Sequence, residues 1–165
     1  MLQKASGSFL YGAALNGVHL CLAGIKSLAS VQAQTPTQVE KNIRKMTNEF
    51  ISVIMTGKME KALHFFSPAY IKEQNYSFLE GRTEQFVMEF LGGFVVNEEG
   101  EEQGFVTPDK NNIASMRIKD VTVSDDPEAF SYAYVEIVLK DGRKYVAELP
   151  VEVYEGKLKY HGAVG

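Results

Sequence analysis

Few residues in this chain have chemistry to offer. With three histidines and one cysteine in 165 residues, any metal or thiol site has little to draw on. No HExxH pair, GxSxG elbow, GxxxxGK loop or GxGxxG run occurs, so zinc hydrolysis, serine acyl transfer and phosphate cradling lack their usual frames. The stretch ALHFFSPAY, residues 62–70, is the densest in reactive types, with His64 and Tyr70 on either side of a Ser-Pro pair. Helical spacing puts Met59, Leu63 and Phe66 on one face and His64 about 100° away from Leu63. His64 is therefore expected at the edge of an apolar stripe, half in solvent. Tyr70, Tyr145 and Tyr160 read as core aromatics with hydroxyls at the rim, where they can orient a ligand by hydrogen bonds. Glu89 falls away from Phe86 and Phe90 on its helix, which is a solvated position. No catalytic residue and no metal ligand is assigned, and no cofactor is expected.

The bulk values describe one globular domain with room for a core: 45% hydrophobic and 23% charged residues. A net charge of −4 gives no support to nucleic-acid binding. The acidic run NEEGEEQG, residues 97–104, reads as a solvated turn, since its spacing is not that of a calcium loop.

The first 33 residues differ in character from the rest of the chain. MLQK supplies a basic start, FLYGAALNGVHLCLAGI an uncharged apolar run, and KSLASVQA a stretch of small residues. That order is the build of a secretory signal peptide, with cleavage expected after Ala33 or Ala29. The run is at the short edge of what spans a bilayer, and its glycines make it a poor anchor. The expected location is therefore exported, periplasmic or secreted, with no stable membrane insertion after cleavage. Cleavage after Ala33 removes two lysines and no acid, leaving 15 basic and 21 acidic residues and a net charge of −6. It also removes Cys21, so packing alone must hold the mature chain together. Asn75-Tyr76-Ser77 is a glycosylation sequon, meaningful only in a eukaryotic source.

The elements that must position these side chains emerge from periodicity. Val39, Ile43, Met46, Phe50 and Val53-Ile54 recur at three and four, a first helix with Thr37 and Glu40 as capping pair and Gly57 as stop. A second helix over KMEKALHFFS is expected to end at Pro68. AYIKEQNYSF reads as a short edge strand or extended loop. TEQFVMEFLGG is a third helix capped by Thr83. Beyond it the period changes to two over IASMRIKDVTVSD, AFSYAYVEIVLK, RKYVAELPVEVY and KLKYHGAV, with Asp141-Gly142 and Glu155-Gly156 as hairpin turns. Helices followed by an antiparallel meander give an α+β domain over residues 37–165.

In the strands the inward sets are Val135, Ile137 and Leu139, then Tyr145 through Val153 at every second residue, then Leu158 and Tyr160. Tyr132, Tyr134, Glu136, Glu148, Glu152 and His161 point outward. No inward acid or histidine is left to act as a base. The outward Tyr132, Tyr134 and Glu136, among charges of both signs, fit the centre of a homodimer interface.

The order of elements, with LHFFSPAYI at the end of the second helix and VEVYEGKLKYHG as a last hairpin, resembles the nuclear-transport-factor-2-like superfamily. Tyr160 stands where many members carry tryptophan. The resemblance implies three helices wrapped by a curved meander into a cone, with a pocket at the wide end. Tyr70, Tyr145, Tyr160, His64 and Glu89 are the residues that would line that pocket. Members include isomerases, cyclases and dehydratases alongside binding domains with no reaction, and fold alone does not choose between them. With the acid-base set missing from the inward face, the expected function is an exported, non-catalytic domain. It would bind a small apolar ligand or a protein partner in or around the cone. An isomerase- or dehydratase-like enzyme is the alternative, reachable if a one-residue register slip turned Glu136 or Glu148 inward. A purely structural domain without a pocket is the third.

Overall fold

The computed structural model describes residues 35–74, 81–96, 101–126 and 129–162, all within the unit 31–165. The leader, the sequon and residues 97–100 of the acidic run lie outside the described residues.

Helix α1 runs Pro36–Met55. Its cap is Thr35, whose side-chain oxygen accepts from the Gln38 amide at 3.3 Å, and Pro36 occupies the first turn. Proline's fixed φ starts the helix before Thr37 can serve as cap, which corrects the expected start. Glu40 is free for a different task and pairs with Arg44 one turn on, at 2.8 Å. Ile43, Met46, Phe50 and Ile54 form the buried stripe, and Gly57 comes after the last turn.

The second helix is shorter than its apolar spacing predicts. Helix α2 covers Met59–Ala62, and a 3-10 turn takes Leu63–Phe65. Phe66 is extended, and Ser67 caps a further helix, α3, over Pro68–Glu73. Pro68 therefore opens a helix rather than merely closing one, and residues 69–73 are helical, not the strand or extended loop expected from Ala69 on. Proline at the first helical position gives up an amide that would have no partner there, and Ser67 Oγ accepts from the Tyr70 amide at 3.2 Å. Helix α4, Thr83–Phe90, buries Phe86, Val87 and Phe90 as its spacing requires. Arg82, not Thr83, is the capping position; the Thr83 hydroxyl instead donates to Glu60 Oε2 at 3.2 Å and ties α4 to α2.

Among the described residues six strands complete the domain: β1 Gly93–Val96, β2 Glu102–Val106, β3 Ile113–Thr122, β4 Ser131–Leu139, β5 Lys144–Tyr154 and β6 Lys157–Tyr160. All pairings are antiparallel, in the order β2-β1-β5-β4-β3, and the sheet does not close. β6 also pairs β5, along Val151–Tyr154, beyond the point where Val95 of β1 meets Tyr145. The last four strands are those the alternation predicts. The β1–β2 hairpin is not, and Glu102–Gly104 are strand rather than turn. Glu155 and Gly156 both take positive φ in the β5–β6 turn, the two-residue hairpin geometry their types favour.

The helices pack on one face of this sheet. Ala133, Val135, Ile137 and Leu139 of β4 and Tyr145, Ala147, Leu149 and Val151 of β5 are buried against them. Val153 breaks the expected inward set and is 70% exposed. It lies past the end of β4, at the β5–β6 hairpin opposite Leu158.

Candidate functional site

Aromatic rings from α1, α3, α4 and β6 meet in the interior. Phe66 lies 4.7 Å from Phe90, 4.9 Å from Phe86, 5.8 Å from Phe50 and 5.9 Å from Tyr160, centroid to centroid. Phe50 adds Tyr160 at 5.0 Å, mostly edge to face as ring quadrupoles prefer. Tyr160 is completely buried, and its hydroxyl donates to Thr47 Oγ1 at 2.9 Å. The Tyr145 hydroxyl donates to the Leu91 carbonyl at 3.0 Å. Both phenols are pushed well above the ordinary tyrosine range by burial. They stay neutral, and their protons are committed inside the protein. The hydroxyls thus sit deep in the core, which corrects the expectation that they stand at the rim. Tyr70, also buried, joins the same cluster from α3, 5.5 Å from Phe86.

The two remaining pocket candidates stand apart from this interior and from each other. His64 is exposed, and its carbonyl accepts from the Lys159 ammonium. Glu89 is exposed on α4, where it accepts from Gln85 at 2.8 Å beside an open groove of about 670 Å³ that reaches Thr107–Asp109.

One polar constellation is invisible to sequence spacing. His161 comes directly after β6 and is half-buried, not turned out to solvent. Its Nδ1 lies 3.0 Å from Glu152 Oε1 and 3.4 Å from Ser67 Oγ, and its Nε2 lies 3.9 Å from Glu73 Oε2. The ring is stacked on Phe130 at 5.2 Å and tilted against Tyr70 at 5.6 Å. Serine, histidine and glutamate together invite comparison with a nucleophilic relay. A relay needs the acid on one imidazole nitrogen and the hydroxyl on the other. Here both share Nδ1, and Ser67 is fully buried as the cap of α3. The group is a clasp, joining the end of β6 to α3 and β5. The residue types are plain in the sequence, but Ser67 and His161 stand 94 positions apart and no spacing rule connects them.

This geometry separates the two histidines. At neutral pH, His161→Gln is expected to cost about 1–3 kcal/mol, because the stack and the Glu152 bond are lost. His64→Gln should stay within about 1 kcal/mol, as exposed replacements do. Parallel urea titrations check the pair; a larger loss at His64 would contradict the clasp.

The other face of the sheet carries its own pattern. Tyr132 and Tyr134 alternate with buried Ala133 and Val135, and their rings stack at 6.2 Å. Glu136 accepts from Arg117 Nε at 2.6 Å, and this bond holds its carboxyl below the ordinary range. The bond's contribution is in place above that ordinary range and fades as pH falls through the lowered value. Lys119 and Lys144 act on Glu136 in the same direction. At the β1–β2 end, Phe94 and Phe105 are direct cross-strand partners, 5.3 Å apart and both about half exposed. Among the described residues no helix is long and apolar enough to cross a membrane, and no three His, Cys, Asp or Glu side chains are placed to hold a metal. Comparison with known proteins finds no matching family model, no matching curated protein and no matching solved structure. The resemblance to the nuclear-transport-factor-2-like superfamily therefore draws no support from them, and what stands is an α+β domain with an open six-stranded antiparallel sheet.

Proposed function

We propose that this chain is an exported, non-catalytic binding domain, built on the cone plan that its element order resembles, whose partner is met on the outside of the fold. A second copy of the chain is the first such partner. One observation carries the reading: the interior is filled by interlocked rings with the Tyr145 and Tyr160 hydroxyls bonded inward, while two stacked tyrosines face outward. Export rests on the basic, apolar, small order of residues 1–33.

The outer face suits a two-fold contact. Tyrosine buries ring area while its hydroxyl keeps a polar partner, which is why it concentrates at interfaces. Tyr134 stands between Glu148 of β5 and Asp120 of β3, and two residues on, Glu136 is met by Arg117, Lys119 and Lys144. A patch bearing both signs can set unlike charges opposite each other when it meets its own copy. Phe94 and Phe105, paired across β1–β2, add exposed apolar surface at the far end of the sheet.

Sedimentation of the exported form at micromolar concentration should show a dimer. Tyr134→Glu, folded by circular dichroism, should raise the dissociation constant about 30-fold or more, the scale of a central tyrosine hot spot. A monomer in the parent, or an unchanged dimer in the variant, overturns the proposal.

A further inference from the structure

The corner Leu63–Pro68, helix α3 and strand β6 border an open groove of about 430 Å³. Leu63, Phe66, Pro68 and Ile71 make its apolar floor, and its charged lining is Lys72 and Lys159, with His64 beside them. Among the described residues no acid lines it, in a chain whose net charge is −4. Lys159 is half-buried and its ammonium is oriented by one bond to the His64 carbonyl, leaving further N–H groups for another acceptor.

The main chain around the groove narrows the choice of occupant. The Phe66 amide donates to the Leu63 carbonyl, Ser67 to Tyr160, Tyr70 to Ser67 Oγ and Ile71 to the Ser67 carbonyl. Pro68 has no amide to give. A peptide laid here would bring its own amides and carbonyls to a floor with no free backbone donor along 66–71 except Ala69. Each such group left dry is costly. An acyl chain carries no such burden, and a carboxylate at its end matches the two lysines.

We propose that this groove binds a free single-chain carboxylate amphiphile, with its tail on Leu63, Phe66, Pro68 and Ile71 and its head group at Lys72 and Lys159. The groove shares no residue with the Tyr132, Tyr134 and Glu136 patch, so binding here and dimerisation there are scored separately.

The test is a titration of the isotope-labelled full chain with decanoate, decanol, decyltrimethylammonium and an acidic, leucine-containing peptide, tracking the amides of Leu63, Ile71 and Lys159. Decanoate should give saturable shifts at these positions, decanol weaker ones and the ammonium the weakest. Lys72→Glu, at an exposed position, should weaken decanoate by about fivefold, the upper range for one exposed charge pair, and leave decanol unchanged. Ile71→Asp should abolish decanoate binding while the remaining amide spectrum stays in place. Equal binding of decanoate and the ammonium, shifts with the peptide alone, or no saturable shift at these amides would each overturn the proposal.

Discussion

Phe66→Ala is expected to cost about 3–5 kcal/mol, the range for removing a fully buried phenylalanine. Phe66 is 2% exposed and has five aromatic neighbours, the closest being Phe90 at 4.7 Å and Phe86 at 4.9 Å. Those neighbours come from α1, α3, α4 and β6, so the cavity would open where four elements meet. The surroundings have little freedom to collapse into it. Tyr160 is anchored through Thr47, and the backbone at this corner is bonded to β6 by Ser67 N–H to the Tyr160 carbonyl at 2.8 Å. Since domains of this size are stable by only about 5–15 kcal/mol, the variant should be near or past its unfolding midpoint in mild urea. Phe66→Leu keeps most of the volume and should lose less than half as much. Equilibrium denaturation of both variants decides; a loss under about 1.5 kcal/mol for alanine would mean that the rings are not packed as described.

The position of Phe66 also shows what the sequence makes legible and what it hides. Period-two alternation locates β3 to β5, and the three-four stripe locates α1, because each element is long enough for its pattern to exceed chance. Four-residue β6 is marked instead by the Glu155-Gly156 turn before it. The β1–β2 hairpin is hidden because its strands, four and five residues long, flank an acid-rich and glycine-rich run that resembles a solvated turn. Helix α3 is hidden because Pro68 carries two meanings, a stop for one helix and a start for the next. Ser67 before it is the signal that decides in favour of a start. Alternation assigns faces but not depth. It turns Tyr145 and Tyr160 inward correctly, yet nothing in the pattern says that Leu91 and Thr47 take their hydroxyls. The clasp at His161 is the least visible feature, since it draws on β5, β6, α3 and the segment before β4. Only the fold brings those four together.

The second large effect is expected at Gly93, where β1 crosses the buried end of β5. A β-carbon there would stand 2.6 Å from Tyr145 Cδ2 and 3.0 Å from the Val146 carbonyl oxygen. The carbonyl belongs to the sheet and cannot retreat. The ring is 2% exposed and held at its far end by the bond to the Leu91 carbonyl, so it cannot swing away without giving up that bond. Gly93→Val must therefore either lift β1 from β5 or displace a buried phenol, and overpacking of this kind costs about 3 kcal/mol or somewhat more. A double-mutant cycle separates this clash from a general intolerance of strand substitution. Tyr145→Leu removes the ring edge that the new side chain meets, so Gly93→Val should cost about 1–3 kcal/mol less in that background than in the parent. Additive losses would place the problem in the Val146 backbone instead. The same seam holds Phe94 in place on the outer face, one residue along from Gly93. A variant that lifts β1 should therefore also weaken a dimer built on that face, whereas Phe66→Leu, whose packing defect is on the helical side, should leave the dimer intact. Sedimentation of the two variants side by side would show whether the core and the outer face fail independently.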